Sequence, residues 1–582
     1  MVRTSKYILC TLRKRSSETD IVSNKLMLRA GMIRKLSSGI YTWLPIGLRV
    51  IYMLTNTIRK EMLKVGCIEI LMPAIQPVNI WEKSGRLKDY KSELIKITDR
   101  NKKDHVLGPT HEEVVTELVN NEILSHKQLP LSFYQIQTHF RDELRPRFGV
   151  IRSKEFLMKD AYSFHINQKN LKATYSLMYS SYSNIFKRIG LKYKTNKVTA
   201  GFMGNGSSHE FLALGSSGET DIMFTTKPNY ASNVVIDETL PSFKINPKPT
   251  KELKLVVTTK FKSVFELAVY FNTSVYKTIK AFIVHTNKLI NPYIVLIIRG
   301  DHQLNKIKLG KVPTIQTPLK YANIEDLKNL KLVTVDSPTS AYDIGLFSLA
   351  MPLIIDRAVA VMGDFIVGSN IRYRLFYGVN WGRDLLLSNI IQADIRIRYN
   401  GALWFIKESS LKKNKSIEVG HIFQVGSKYS DIINNRLQVN EGNKQSLIMG
   451  CYGIGISRTI ASIVEQNYNK AGTIWTNSIA PFHVAIIALN MHRIEKIKEI
   501  AEYIYNKLAS YNIDVLLDDR ASSLGVMFND IELIGINHII LVTNNSLFDS
   551  VEYKSRYAGD IKAVNIYNIS TYILKELMLN IG

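Results

Sequence analysis

The stretch YQIQTHFRDELRPRFGVIRSKEFLMKDAYSFH, residues 134–165, decides the fold. In YQIQTHF (134–140), apolar residues alternate with glutamine and histidine, and this period of two is typical of a half-buried strand. Proline and glycine in LRPRFG (144–149) predict a turn, and RSKEFLMKD (152–160) resumes the alternation after it. The sequence therefore predicts a hairpin of two antiparallel strands.

The polar face of this hairpin is predicted to carry charged and aromatic side chains. If the period of two continues past the first strand, Arg141 and Glu143 project from the same face as the glutamines. Arg152 and Phe156 share one parity on the return segment. Guanidinium groups match phosphate oxygens and an aromatic ring stacks on a base, so this face suits a nucleoside triphosphate. A surface ion-pair ladder with Phe156 in the core is the alternative.

A second segment, IMGCYGIGISRTIASIVEQN (448–467), predicts a strand followed by a helix. Apolar residues recur there at helical spacing: Ile456, Ile460, Ile463 and Val464. Arg458 falls on the opposite, polar face, where the pattern predicts that it contacts a ligand, while Gly453 and Gly455 permit close backbone approach at the turn. The segment lacks the third glycine and the ribose-binding acid of a dinucleotide fingerprint.

The segment GPTHEEVVTELVNNEIL (108–124) predicts a helix that begins with a capping box. Thr110 would be the N-cap and Glu113 its partner in the first turn. Glu112 has no such capping role, which leaves its carboxylate available for a ligand.

Length and composition indicate a multidomain globular protein. At 582 residues the chain is too long for one ordinary core, and a proline-rich stretch at 228–252 marks a boundary. Strand and helix patterns alternate over 253–395 and again from about 475, where they indicate a separable βαβ module. The predicted domains are a first part of a catalytic core, an inserted domain, a second part of the core and a C-terminal domain: 1–230, 231–395, 396–472 and 473–582.

The charge balance and the cysteines restrict the classes of partner and compartment. Lysine and arginine number 76 against 50 acidic residues, and the net charge of +26 favours a polyanion such as nucleic acid. A bias toward Ile, Asn, Tyr and Lys of the kind found in AT-rich genomes is the alternative source of this charge. Cys10, Cys67 and Cys451 are scattered, which predicts neither a disulfide framework nor a zinc site. We expect a cytoplasmic protein without a targeting sequence or a membrane span.

Two of these segments, and a third at 66–75, resemble the signature motifs of class II aminoacyl-tRNA synthetases. FRDELRPRFGVIRSKEFLMKDAYSFH (140–165) is similar to motif 2, in detail to that of the bacterial prolyl enzymes. GCIEILMPAI (66–75) resembles motif 1, which in the family lies at a homodimer interface, and 448–467 resembles motif 3. Further similar segments are LMLRAGMIRKLSSGIYTWLPIGLRV (26–50) and QPVNIWEKSGR (76–86).

The resemblance implies an ATP site that uses Mg²⁺ together with the nucleotide. It implies no metal site formed by protein side chains alone. It implies the following contacts: Arg141 with the α-phosphate, Glu143 with the adenine amino side, Arg152 and Arg458 with the γ-phosphate, and Phe156 stacked on adenine.

The resemblance also implies a proline site. In the family, the TxE pair faces the amino acid, so Thr110 and Glu112 would receive the imino group. NGSSHEF (205–211) resembles a family loop that places Ser208 and His209 in the same pocket, although Asn205 replaces a usual glycine. Three further residues would complete this pocket: Asp160 and His165 in its wall, and Cys451 near its floor.

The implied function is that of a homodimeric proline–tRNA ligase that binds ATP, proline and tRNA(Pro). The implied fold is α/β multidomain: a mixed, largely antiparallel class II core sheet, an inserted α/β domain resembling an editing domain, and a C-terminal α/β anticodon-binding domain. In DDRASSLGVMFNDIELIGI (518–536), the RNA contacts would be Arg520, Asp530 and Glu532. The alternatives are another class II synthetase of the threonyl or histidyl sort, or a non-catalytic paralogue that only binds tRNA.

The inserted domain departs from the family's editing pattern. It keeps Lys280, Gly345 and Asp356, but the usual histidine falls at Leu375 and a loop proline falls at Ala350. Leucine cannot donate a hydrogen bond, so we expect impaired editing of Ala-tRNA(Pro). The alternative is that the alignment is off by one residue or that the histidine is dispensable.

Overall fold

The computed structural model describes most of the chain in two compact units, Met1–Asp221 with Asn414–Gly582, and Ile222–Lys413. The described residues are 1–13, 21–90, 93–199, 207–218, 220–225, 231–233, 248–258, 263–287, 292–310, 312–316, 319–323, 325–326, 330, 346, 351–369, 371, 373–385, 390–396, 411–432, 436–440, 443–544, 546, 549–557 and 559–579. The second unit extends beyond the predicted insertion, 231–395, at both ends.

The strands, numbered in chain order, are β1 (Val2–Arg3), β2 (Ile33–Ser37), β3 (Ile40–Trp43), β4 (Ile68–Glu69), β5 (Ile75–Pro77), β6 (Ile95–Thr98), β7 (Asp104–Leu107), β8 (Leu131–Phe140), β9 (Glu155–His165), β10 (Tyr193–Thr199), β11 (Ser207–Leu214), β12 (Thr220–Thr225), β13 (Ala231–Asn233), β14 (Lys254–Val257), β15 (Ile279–His285), β16 (Tyr293–Arg299), β17 (Leu353–Asp356), β18 (Phe365–Gly368), β19 (Arg374–Val379), β20 (Ile390–Ala393), β21 (Leu411–Gly426), β22 (Arg436–Asn440), β23 (Asn443–Ser446), β24 (Ile448–Gly455), β25 (Val484–Ala488), β26 (Val515–Asp518), β27 (His538–Val542), β28 (Ser550–Ser555) and β29 (Ile561–Asn565).

The α-helices are α1 (Val22–Arg29), α2 (Pro45–Lys64), α3 (Val78–Lys83), α4 (Arg86–Asp89), α5 (Glu112–Glu122), α6 (Gln168–Arg188), α7 (Val264–Tyr270), α8 (Lys306–Leu309), α9 (Lys428–Ile432), α10 (Ile456–Gln466), α11 (Glu495–Ser510), α12 (Leu524–Ile534) and α13 (Ile569–Leu579). Among the residues that the structure describes, no helix is long and apolar enough to cross a membrane.

The catalytic-core sheet is built on the predicted hairpin. Its strands follow the order β10, β11, β21, β24, β9, β8, β4, and all neighbours in this order are antiparallel except β4 and β8. Helix α6 covers one face, where it packs with α2 and α10 in a large apolar cluster, and α5 packs on the other. The predicted fold class, a mixed and largely antiparallel sheet, is therefore confirmed.

The C-terminal sheet has the order β1, β26, β25, β27, β28, β29, with the first four strands parallel. The extreme N-terminus thus adds an edge strand to it, through Val2 opposite Leu516. Side chains alternate along β25, so that Val484 and Ile486 face a cluster with α11, whereas Ala485 and Ile487 join the apolar cluster of the catalytic core. The separability of the block from about 475 stays a prediction, although this block and the catalytic core share one apolar cluster.

The second unit contains a four-stranded sheet in the order β15, β16, β17, β20 and a three-stranded sheet in the order β14, β19, β18. Both faces of the larger sheet are covered, because Ile283 and Ile297 lie in one apolar cluster while Val284 and Leu296 lie in another. Burial on both faces explains the continuous apolar runs that predicted α/β organisation.

Candidate active site

A cleft in the catalytic core collects all five predicted ATP-binding side chains. Its lining includes Arg141, Glu143, Arg152, Phe156 and Arg458. They arrive from two elements and the connection between β8 and β9, so residues more than 300 positions apart in sequence meet here. The structure therefore brings this predicted set together.

The route by which Arg141 and Glu143 reach the cleft differs from the sequence expectation. Strand β8 ends at Phe140, and the two residues lie in the connection to β9, where Glu143 N donates to Arg141 O at 2.8 Å. Arg141 N still donates to Lys154 O at 2.9 Å, so the backbone leaves the hairpin after Arg141, and the predicted continuation of the strand period to Glu143 is wrong.

The charged side chains of the cleft hold one another in place. Arg152 Nε donates to Glu143 Oε2 at 2.8 Å. The Arg141 guanidinium lies 5.4 Å from the centroid of the Phe156 ring, and its Nε is buried without a hydrogen-bond partner among the described residues. An unsatisfied guanidinium N–H is costly to bury, so Arg141 is poised for an anionic ligand.

Arg458 enters the cleft from the start of α10. The residues Ile456, Ile460, Ile463 and Val464 are all buried, as predicted. Arg458 is not in that buried stripe, and it donates to Ile151 O at 3.1 Å and to Glu418 O at 2.9 Å. A Cβ on Gly453 would collide with Met158 Cε, so a glycine keeps this part of the cleft open.

The cleft also contains Glu418 and His421 of β21, which sequence reasoning missed. His421 Nδ1 lies 2.9 Å from Glu418 Oε1. Burial alone would raise the pKa of Glu418, but the hydrogen bond to His421 and the charges of Arg458 and Arg141 lower it to about 2. Glu418 is therefore a permanent anion among cations. The alternation in SIEVGHIF (416–423) could have indicated that a carboxylate faces the site.

A second group, built around a buried arginine, joins Thr110, Glu112 and Cys451. Arg86 Nη1 donates to Glu112 Oε2 at 3.0 Å, and its Nη2 donates to Thr110 Oγ1 at 3.2 Å. The Cys451 thiol donates to Glu112 Oε1 at 3.4 Å. Arg86, which the sequence reasoning did not select, thus holds these three predicted residues together.

The ionisation of this group follows from its burial. Desolvation would raise the pKa of Glu112, but the Arg86 charge and the hydrogen bond with Thr110 lower it, so the carboxylate stays charged. Burial and the neighbouring Glu112 carboxylate raise the pKa of Cys451, so its thiol stays protonated. A charged, fully buried carboxylate is suited to receive an ammonium group.

The predicted capping box at the start of α5 is wrong. The helix begins at Glu112, and its N-cap, His111, makes no side-chain capping hydrogen bond. Glu113 instead pairs with Arg86 Nη1 at 2.9 Å and accepts from Ser84 Oγ at 2.8 Å. The buried guanidinium outcompetes the helix N–H groups for both Thr110 and Glu113.

The remaining predicted pocket residues divide between the two faces of the sheet. Paired residues across antiparallel strands share a face, and register places Ser208, Phe423, Cys451 and Tyr162 in one row. Ser208 therefore lies on the face of the Glu112 group, although its hydroxyl donates to Val198 O at 3.1 Å. Asp160, two residues before Tyr162 in β9, also lies on this face.

His165 and His209 lie on the opposite face, which corrects their assignment to this pocket. His165 lies five residues after Asp160 on β9, and His209 lies one residue after Ser208 on β11. An odd separation along a regular strand places two side chains on opposite faces. His209 Nδ1 contacts Tyr175 OH at 2.7 Å, and His165 Nε2 contacts Ser163 Oγ at 2.8 Å. Burial lowers the pKa of His165 to about 4, which makes it a neutral structural residue.

In the C-terminal domain, the three predicted RNA-contacting residues make intramolecular pairs. Arg520 Nη1 donates to Asp530 Oδ2 at 2.9 Å, and its Nη2 donates to Asp518 Oδ2 at 2.8 Å. Glu532 Oε1 accepts from Lys554 Nζ at 3.1 Å. RNA binding through these side chains would have to replace or extend these pairs.

In the inserted unit, Lys280 Nζ donates to His302 O at 3.1 Å. Asp356 is fully buried and accepts from the backbone N–H groups of Ala358 and Ile395 at 2.9 and 3.3 Å. Leu375 is 2% exposed and packs in an apolar cluster. Gly345, Ala350 and, in the core unit, Asn205 lie outside the described residues.

Comparison with known proteins finds two family matches and full-length structural neighbours. Residues 90–467 match the tRNA synthetase class II core domain (G, H, P, S and T), and residues 483–576 match an anticodon binding domain. Two solved structures of prolyl-tRNA synthetase from Cryptosporidium parvum superpose with TM-scores of 0.58 at 12% identity, one with L-proline and AMP, the other with halofuginone and AMPPNP. They cover 98% and 99% of this chain, and 78% and 79% of their own chains are matched. At this identity the likeness shows a shared fold.

Proposed function

This chain belongs to the class II tRNA synthetase family, and from that premise we propose that it is a proline–tRNA ligase. The single observation that carries the proposal is the arrangement of two sites on one sheet. The cleft with Arg141 and Arg458 is lined by Met158 and Gly453, which lie on the sheet face that also carries Cys451 beside Glu112. A nucleoside triphosphate and an amino acid would therefore lie side by side.

The proposed first step joins the two ligands. A carboxylate oxygen of proline attacks the α-phosphorus of ATP, and pyrophosphate leaves with the electron pair of the broken P–O bond. Arg141 would stabilise the charge that develops on the α-phosphate, while Arg152 and Arg458 would hold the departing pyrophosphate. Arg152 would have to loosen its pair with Glu143, which would then be free to accept from the adenine amino group. No nucleophile from the protein is needed.

The amino-acid specificity is proposed from the Glu112 group. Proline carries a secondary ammonium with two N–H donors, and Glu112 is an ionised carboxylate that already contacts Arg86, Thr110 and the weak thiol donor Cys451. The structural neighbours are prolyl-tRNA synthetases, one of them with L-proline and AMP bound. A carboxylate would bind the ammonium of any amino acid, so it is this structural likeness that supports proline over another amino acid of the same enzyme class.

Magnesium fits the donor chemistry of the cleft. Mg²⁺ prefers carboxylate, phosphate and water oxygens, and Glu418 presents a carboxylate with a pKa of about 2 beside the arginines. Glu418 would hold the ion against the phosphates, where it would neutralise charge on the departing pyrophosphate.

The second step would transfer the prolyl group from the adenylate to a 3′-terminal hydroxyl of tRNA(Pro), with AMP as the leaving group. The anticodon-binding match over 483–576 and the net charge of +26 support tRNA as the partner.

A homodimer is proposed from the motif 1 segment. Its side chains include Ile68, Leu71 and Ile75, which are 48%, 79% and 54% exposed, and contiguous exposed apolar side chains mark association surfaces. Light scattering on the purified protein is expected to give twice the chain mass, and the monomer mass would contradict this proposal.

The test of the proposed function is ATP–pyrophosphate exchange measured with each of the twenty amino acids. We expect exchange that depends on proline. Exchange with threonine or histidine alone would favour another enzyme of the class, and the absence of exchange with any amino acid would favour a paralogue that only binds RNA.

A further inference from the structure

Beneath the amino-acid site lies a buried trio of side chains, His111, His139 and Asp160. They come from the start of α5, from β8 and from β9, and are 0%, 0% and 2% exposed. Their nitrogen and oxygen atoms lie within 4.8 Å of one another. The proposed reaction uses neither histidine, so the trio needs a separate explanation.

The outer nitrogen of each histidine faces a backbone carbonyl. His111 Nε2 lies 3.1 Å from Pro73 O, and His139 Nδ1 lies 3.3 Å from Pro109 O. A carbonyl oxygen can only accept, so each neutral ring carries its proton on this outer nitrogen.

The inner nitrogens then present lone pairs to the same carboxylate. His139 Nε2 lies 3.2 Å from Asp160 Oδ1, and His111 Nδ1 lies 3.7 Å from Asp160 Oδ2. His111 Nδ1 is buried and has no hydrogen-bond partner among the described residues. Acceptors that face one another in a dry interior are unfavourable, so a proton or a cation must lie between them.

Protons alone solve this problem poorly. Satisfying both inner nitrogens with protons would create two imidazolium ions whose rings are only 5.0 Å apart and repel each other. A single divalent cation would bind both lone pairs and the carboxylate at once.

The geometry agrees with that solution. Zinc–ligand bonds of about 2.0–2.2 Å place neighbouring ligand atoms of a tetrahedral ion about 3.3–3.6 Å apart. The carboxylate of Asp160 lies at similar separations from both rings, with Oδ1 3.2 Å from His139 Nε2 and Oδ2 3.7 Å from His111 Nδ1. Histidine ligands of metal ions usually donate their other N–H to a backbone carbonyl or carboxylate, as both rings do here. We propose that His111, His139 and Asp160 form a buried site for a divalent cation of the zinc class.

The surroundings orient the carboxylate for this role. Tyr162 OH and Gln135 Nε2 donate to Asp160 Oδ2 at 2.7 and 3.1 Å, which fixes the plane of the group and leaves Oδ1 directed at His139. The ion would tie β8 and β9 to the residue that precedes Glu112. It would thereby hold the floor of the amino-acid site without touching either substrate.

The test is metal analysis of the full-length protein, purified without an affinity tag from zinc-supplemented medium and passed through gel filtration. We expect about one zinc ion per chain in the wild type and in a control, His105→Gln, which changes a half-buried histidine outside the trio. In His139→Gln and His139→Lys we expect less than about a tenth of that. The lysine variant should fold, because its ammonium can neutralise Asp160 without a metal.

A second measurement on the wild type keeps the test independent of how the variants fold. Removing zinc with a chelator should lower the Tm, zinc should restore it, and cobalt(II) in its place should give visible absorption bands. A wild type without bound zinc whose Tm responds to neither chelator nor added zinc would overturn the proposal in favour of a shared proton. Zinc retained in both His139 variants would overturn it as well, because the ion would then lie elsewhere.

Discussion

Arg152 donates its Nε–H to Glu143 Oε2 at 2.8 Å across the cleft, so each of these two residues occupies the other in the absence of a nucleotide. Arg141 is different, because its Nε is buried with no hydrogen-bond partner among the described residues. ATP must therefore displace a side-chain hydrogen bond to reach Arg152, whereas the Nε of Arg141 has none to lose, although its charge also acts on Glu418. This asymmetry ranks the arginines by their expected effect on catalysis.

Arg141→Ala is expected to lower the rate of proline-dependent ATP–pyrophosphate exchange at least about 100-fold, or about 2.7 kcal/mol, the scale of one preorganised charge contact to a transition state. Arg152→Ala should be milder, since it also releases Glu143. Arg145→Ala is the matched control, because Arg145 is an exposed arginine of the same connection that does not line the cleft. Near-normal exchange in Arg141→Ala would refute its contact with the α-phosphate.

Arg86→Met is expected to abolish proline-dependent exchange and to destabilise the protein by about 3–5 kcal/mol, because it leaves Glu112 as an uncompensated buried charge. Arg86→Lys keeps the charge but not the fork that reaches both Thr110 and Glu112, so its KM for proline should rise while its KM for ATP changes little. Thermal unfolding and exchange kinetics measure the two effects separately. An unchanged KM for proline in Arg86→Lys would show that Arg86 does not position the amino-acid site.

Lys159 is expected to make the stability of the protein depend on pH. It is fully buried, and burial lowers its pKa from 10.5 to about 8. Between these two pH values the unfolded chain binds more protons than the folded one, so this lysine makes the free energy of unfolding rise with pH across that window. The free energy of unfolding should rise by about 3 kcal/mol in total, beginning at about pH 8 and ending at about pH 10.5.

Lys159→Met should therefore flatten the rise of Tm between pH 8 and 10.5 relative to the wild type. At pH 7 the variant should raise the free energy of unfolding, because it no longer buries the charge of the lysine. This gain is reduced because Tyr182 OH loses a 2.8 Å hydrogen bond. Lys172→Met, at an exposed lysine of α6, is the control and should leave the pH profile unchanged. Parallel profiles for wild type and Lys159→Met would refute the prediction.

The logarithm of the association constant for tRNA should fall linearly with the logarithm of the salt concentration, with a slope of about −0.7 to −0.9 per phosphate contact. Filter binding between low and physiological salt measures this slope. Deleting the chain from about residue 475 is not a clean test, because Ala485 and Ile487 lie in the apolar cluster of the catalytic core. Such a truncation should lose activation together with tRNA binding, and a truncated protein that still activated proline would contradict the shared core.

The hairpin, the Arg458 helix and the sheet class were predictable because they depend on local periodicity. Strand alternation alone already separates His209 from Ser208, since neighbours on a strand face opposite ways; the resemblance to a family loop outweighed that elementary rule. Arg86 could not be found from local pattern. Its role arises from a buried ion pair with Glu112, 26 residues away, and no periodicity encodes that contact.

A pocket sized for proline makes it necessary to edit misacylated tRNA. Alanine is smaller than proline, so the pocket cannot exclude it sterically, and the missing methylene groups give only about 1–3 kcal/mol of discrimination. Misacylated tRNA must then be hydrolysed elsewhere. In the inserted unit, Leu375 is buried among apolar residues and has no polar atom with which to orient water. We therefore expect the purified protein to deacylate Ala-tRNA(Pro) slowly.

Substitution of Lys280 by alanine should change that slow rate little, since the lysine already donates to His302 O, and Lys254→Ala serves as a control at an exposed lysine of the same unit. Leu375→His should lower the Tm instead of restoring hydrolysis, because it buries an unsatisfied polar ring beside Leu267. Rapid hydrolysis by the wild type that Lys280→Ala abolishes would show that the site works without a histidine at this position. The protein would then edit through the lysine, and the natural leucine at position 375, where the family usually has histidine, would be a neutral difference within an active domain.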